Sequence, residues 1–125
     1  MIYQFYAIKN PFNLFLESPE IFQKLLLHFD AKQRDVILEK FNGEEIYEGC
    51  KSLLDDDSID YHLKELTIYK KANNAFCWMH IYDDYIECND YQRNPFTHYL
   101  LRIHDEYIII DENDSVCVQN YCKSR

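Results

Sequence analysis

The apolar residues of this chain keep one period in its first half and another in its second, and this limits the possible folds more than any other feature. Apolar residues three or four apart mark the buried stripe of a helix, whereas alternating or short clustered runs mark strands. Helical spacing holds from about residue 18 to residue 54. Strand-like runs occupy residues 2–9 and much of the chain after residue 74.

Caps and turns divide these regions into elements. Residues 2–9 read as a strand, with Ile2, Phe5, Tyr6 and Ile8 as β-formers. Asn10-Pro11 stops it, because proline has no amide hydrogen for a central ladder. Ser18-Pro19-Glu20 predicts a helix start, with Ser18 as cap, Pro19 at the first position and Glu20 at the positive end of the dipole. Ile21, Leu25, Leu26 and Phe29 follow at helical spacing. Asp30 is expected to cap a second helix running to Phe41, with Val36, Ile37 and Phe41 on one face, broken by Asn42-Gly43. A third helix is predicted from Glu44 to Leu54 on Ile46, Tyr47, Cys50, Leu53 and Leu54. After Asp55-Asp56-Asp57, the residues Ile59, His62, Leu63 and Leu66 favour a short helix, while Leu66-Thr67-Ile68-Tyr69 also fits a strand.

Residues 75–81 and 84–88 predict a hairpin around Tyr82-Asp83-Asp84. Asn94 is expected to cap a short helix, with Pro95 first and Phe96, Tyr99, Leu100 and Ile103 inward. Residues 106–111 and 115–119 predict a second hairpin around Glu112-Asn113-Asp114, where Asx side chains serve turns that glycine would otherwise fill. Strands and helices do not alternate regularly, which disfavours a doubly wound parallel sheet. The expectation is an α+β fold: a mixed, mainly antiparallel sheet with helices packed on it, in a single domain over residues 1–125.

Composition narrows the function classes. A 125-residue chain with 47% hydrophobic residues can bury a core unaided. Its 16% aromatic content and two glycines argue against disorder. Twenty-two carboxylates against 13 Lys and Arg give a formal charge of −9, and no basic cluster exceeds Lys70-Lys71. Phosphate backbones need cations, so no direct nucleic-acid binding and no membrane-surface binding are expected. The acidity serves solubility or steers the chain toward a basic partner. The N-terminus lacks a basic signal-peptide start, and no apolar run approaches the roughly 20 residues of a membrane span. Cys50, Cys77, Cys88, Cys117 and Cys122 are odd in number and loosely spaced, which predicts reduced thiols in a cytoplasmic protein.

Catalytic chemistry finds no foothold. Cys117-x4-Cys122 lacks the second close pair of a structural zinc site, so no metal is expected. No cysteine sits in a recognisable nucleophile turn, and His28, His62, His80, His98 and His104 read as surface or amphipathic residues. No G-x-S-x-G elbow occurs. Gly43 and Gly49 lie in the helical region, so no glycine loop can cradle a nucleotide and no cofactor is expected. The carboxylate runs read as solvated turns. The chain is therefore expected to be no enzyme.

Surface features remain. Glu44, Glu45, Glu48, Asp55, Asp56, Asp57 and Asp60 form an acidic stretch suited to a basic partner, as in an immunity protein, an antitoxin or a phage-type inhibitor. Tyr82, Tyr85 and Tyr91 form a tyrosine-rich edge that would equally serve a homodimer. Between the first strand and the first capped helix, Phe12, Leu14, Phe15 and Leu16 crowd into one short segment. They cannot all point inward, and exposed aromatic anchors are what protein-binding hot spots use. The predicted partner-binding residues are Phe12, Phe15 and Leu16.

An aromatic strand running into Ile8-Lys9-Asn10-Pro11-Phe12 and then a helix, followed by Ala75-Phe76-Cys77-Trp78-Met79 with its hairpin, a helix near Phe96–Leu101 and a hairpin around Asp111, resembles the SirA family of sporulation inhibitors of replication. The resemblance covers most of the chain as architecture and is sparse in residue identity. It implies a cytoplasmic protein that binds the N-terminal domain of the replication initiator DnaA and blocks its assembly at the origin. It also implies that Phe12 is a contact. The family's second aromatic contact falls on Leu16, with Phe15 beside it, and no contact is carried over within residues 42–56.

Overall fold

In a computed structural model, which describes residues 1–55, 58–62, 64–72, 75–90 and 94–120, the fold is α+β around one antiparallel sheet. Ile2–Tyr6 forms β1. Asp60–His62, Thr67–Ala72, Ala75–Ile81, Ile86–Asn89, Glu106–Asp111 and Val116–Asn120 form β2 to β7. The strand order is β2-β3-β4-β5-β1-β6-β7, and every pairing among the described residues is antiparallel. The N-terminal strand thus closes the gap between two hairpins.

Successive strand side chains point to opposite faces, and β1 and β6 are buried on both. Phe5, Tyr107 and Ile109 enter one core cluster with Phe41, Ile46, Met79 and Leu100. Tyr6, Ile108 and Ile110 enter another with Phe22, Leu26, Ile37 and Leu38. Double burial explains the unbroken run Tyr107-Ile108-Ile109-Ile110, which shows no alternation in sequence.

Helices cover the two faces unequally. Gly43–Leu54 and Phe96–Ile103 (called α4 and α5 below) contribute to the first cluster. Both glycines of the chain lie in α4, each where an aromatic ring comes too close for a Cβ: the Tyr61 hydroxyl at Gly43 and the Tyr99 ring at Gly49. Leu14–Glu17, Pro19–Leu26 and Ala31–Ile37 (α1, α2 and α3) form the other layer. There Phe15, Phe22 and Phe29 pack edge to face or tilted.

The caps differ partly from expectation. Asp30 forms a full capping box with Gln33, as its position predicts. Ser18 makes no side-chain cap; its amide instead donates to Leu14 O as α1 runs straight into α2. The buried stripe of α2 is Phe22 and Leu26, leaving Ile21 and Leu25 exposed. Helix α3 ends at Ile37, not Phe41, because Leu38 leaves in extended conformation and bridges Ile8. Asn42 both ends that passage and caps α4 through Glu45 N. Residues 60–62 are strand rather than helix: Tyr61 pairs with Ile68 across the β2–β3 hairpin, whose turn holds Leu66 at φ 49°. Leu63 lies outside the described residues. Asp111 Oδ1 accepts from Asn113 N and Ser115 N, which is the Asx chemistry expected of the last hairpin.

Candidate protein-binding surface

The segment after β1 is held rigidly against α3. Ile8 bridges Leu38, Lys9 N donates to Ile37 O at 2.8 Å, and Glu39 N donates to Ala7 O at 2.8 Å. The chain then makes a 3-10 turn over Asn10–Phe12, with Pro11 in its first turn, and enters α1 through Asn13. Proline pre-sets φ for that turn. Four apolar residues are thereby spread over two short turns with different directions.

Their fates diverge. Leu14 is 77% exposed. Phe15 is half-buried, with its ring 5.5 Å from Phe22 and 6.4 Å from Phe29, so it belongs to the packing of the helical layer. Leu16 is half-buried and lines a polar cavity of about 440 Å³ shared with Asn10, Asn13, Glu39 and His104. Phe12 is half-buried and forms one wall of an apolar groove of about 320 Å³, whose other wall is Asp30, Lys32, Gln33, Val36 and Ile37 of α3 and its cap. Phe12, Phe15 and Leu16 are thus close in sequence and turned to three surroundings. Sequence reasoning placed Val36 with Ile37 and Phe41 on one face. The structure leaves Val36 55% exposed at the groove, while Ile37 and Phe41 enter different core clusters.

Charge sets this layer apart. Residues 9–40 hold five of the 13 Lys and Arg and five of the 22 Asp and Glu, so the segment is formally neutral and the whole −9 lies outside it. Within it, Lys40 Nζ meets Asp35 Oδ1 at 2.5 Å, and that hydrogen bond holds the Asp35 carboxyl below its ordinary pKa. Arg34 ties α3 to the β4–β5 turn through Asp84 at 2.8 Å. On the other layer, Glu44, Glu45 and Glu48 are exposed on α4, as are Asp55 and Asp60 near its end; Asp56 and Asp57 lie outside the described residues. Tyr82 stacks on Tyr85, and Tyr85 on Tyr6, whereas Tyr91 lies outside the described residues.

The nucleophile candidates are poorly placed for chemistry. Cys50 and Cys88 are fully buried, and burial pushes both thiols up to about 12. Burial also raises Cys77 and the exposed Cys117; Cys122 is not among the described residues. Nucleophilic thiols need the opposite shift. Half-buried His104 is shifted below its ordinary pKa by desolvation, partly offset by Glu39 and Asp105. Among the described residues, no three His, Cys, Asp or Glu side chains are grouped to hold a metal ion, and no helix is long and apolar enough to cross a membrane. In comparisons with known proteins, no family model matches this chain and no curated protein matches it.

Proposed function

We propose that this protein acts by binding another protein through the neutral α1–α3 layer and catalyses nothing. The supporting observation is the groove between Phe12 and α3, lined by exposed Val36, with Leu14 exposed two residues after Phe12 in the sequence. Aromatic residues such as Phe12 are enriched at the cores of protein interfaces. The raised thiols argue in the same direction.

For the partner, the resemblance of Ile8-Lys9-Asn10-Pro11-Phe12 to the SirA family favours the N-terminal domain of DnaA, making the protein a cytoplasmic inhibitor of replication initiation. The test is a calorimetric titration of the full chain against that isolated domain. We expect saturable binding that Phe12→Ala weakens by about 1–2 kcal/mol. No association at about tens of micromolar, with folded samples of both proteins, removes DnaA as the partner.

A second reading follows from the exposed carboxylates of α4, which suit an immunity protein or antitoxin facing a basic toxin. Ionic strength separates the two. Binding through the neutral layer changes little with salt, whereas binding through Glu44, Glu45 and Glu48 weakens steeply.

A further inference from the structure

The helices α1 and α2 pack over β6 and β7, and the same side of β2–β5 has no helical layer over it among the described residues. Register places Tyr69 opposite Trp78, Thr67 opposite His80 and His62 opposite Thr67, so these side chains share that face, with Ile68 and Met79 turned to the core. Five rings lie on this face of three strands, in a run of three (His62, Tyr69, Phe76) and a separate pair (Trp78, His80). His62 and Tyr69 are 5.6 Å apart, Tyr69 and Phe76 5.8 Å, and Trp78 and His80 4.7 Å. The Thr67 hydroxyl meets His80 Nδ1 at 2.6 Å and orients the ring beside Trp78. Phe76 is 46% exposed.

The charged residues that the register sets on this face are two carboxylates, Asp60 and Glu87, and one lysine, Lys71, opposite Phe76. Asp60 stands opposite Tyr69 and is exposed, and Glu87 stands opposite His80. Glu87 accepts from Gln4 Nε2 at 3.3 Å and from the Tyr82 hydroxyl at 3.2 Å. A carboxylate has about four acceptor positions, so it keeps capacity for more.

We propose that this face docks a basic segment of a partner protein, with arginine guanidinium groups stacked on Tyr69, Phe76 and Trp78 and paired with Asp60 and Glu87. The guanidinium is planar and weakly hydrated, stacks on aromatic faces and bonds carboxylates with a fixed fork. The net −9 draws such a segment in and repels both a phosphate backbone and a second copy of the chain. The surface is separate from the α1–α3 groove, so the two are tested independently.

Trp78 is the sole tryptophan, so its emission reports this face directly. The full chain is titrated with a peptide of alternating arginine and glycine, and with a matched peptide of glutamine and glycine. The arginine peptide is expected to give a saturable change in Trp78 emission that weakens with salt, and the glutamine peptide none. Phe76→Ala and Asp60→Asn, both at exposed positions, are each expected to weaken binding about threefold or more. The proposal is overturned by equal responses to the two peptides, by no response to either, or by arginine-peptide binding that neither substitution alters, which would locate it on α4. It is equally overturned if a single-stranded oligonucleotide binds the face more tightly, or if Phe76→Ala abolishes a concentration-dependent dimer.

Discussion

Asn94 is fully buried, and its side chain is used in every direction. Its Nδ2 donates to Trp78 O at 3.1 Å and to Asn89 O at 2.9 Å, while its Oδ1 accepts from Phe96 N at 3.0 Å. One residue therefore fastens the entry to α5 onto β4 and β5, although the N-cap is Pro95, not Asn94 as the sequence predicts, and makes no side-chain cap. Leaving these buried and part-buried backbone groups unpaired costs about 1–3 kcal/mol, so Asn94→Ala is expected to lower the unfolding free energy measured by chemical denaturation by that amount. A loss below about 0.5 kcal/mol would show that water replaces the amide. Cys50 and Cys88 yield a pH prediction. Both titrate near 12 when folded, above the usual value of 9.0. The folded state then holds more protons than the unfolded state between these values, so stability falls as pH rises through that window. Thermal unfolding from pH 8 to pH 11 is expected to show a falling Tm, with the slope reduced in Cys50→Ala relative to its own value at pH 8.

At the scale of elements, the neighbours Leu14 and Phe15 make the sharpest contrast. Phe15→Ala removes a ring from contact with Phe22 and Phe29 and is expected to cost about 2 kcal/mol or more. Leu14→Ala, at a 77% exposed site, is expected to leave stability within about 0.5 kcal/mol. Chemical denaturation of the two variants side by side checks both. The sequence could not separate these residues. Its apolar run crosses a 3-10 turn and a four-residue helix, and neither lasts long enough for a period to assign a face. Caps and turns were more legible where they are local: Asp30 and Asn42 cap helices, and Asp111 holds a turn, through side chains two to four residues from the groups they serve, whereas α5 is capped by Pro95 and not by Asn94. Residues 59–66 misled for a different reason. Ile59, His62 and Leu66 fit helical spacing, but β2 exists only because β3 pairs with it, a tertiary fact with no local signature. The aromatic face of β2–β5 was hidden likewise, because it arises from register between three strands.

At the scale of the whole molecule, charge and apolar exposure are partitioned. The −9 lies outside residues 9–40, and within that neutral stretch Leu14, Ile21, Leu25, Leu27 and Val36 are exposed. A uniformly acidic surface would have favoured basic partners everywhere. This one offers an apolar layer where contacts are decided by shape, and acidic and aromatic surfaces where they are decided by charge. The α+β class and the antiparallel sheet followed from the two periods in the sequence. The partition did not, because it depends on which apolar residues the fold leaves outside. The most direct test is the affinity of the full chain for the DnaA N-terminal domain at low and high salt, compared with Leu14→Glu and Glu48→Gln variants. Binding through the neutral layer predicts an affinity nearly independent of salt, weakened about tenfold or more by Leu14→Glu and unchanged by Glu48→Gln. Binding that collapses with salt and responds to Glu48→Gln but not to Leu14→Glu would contradict it.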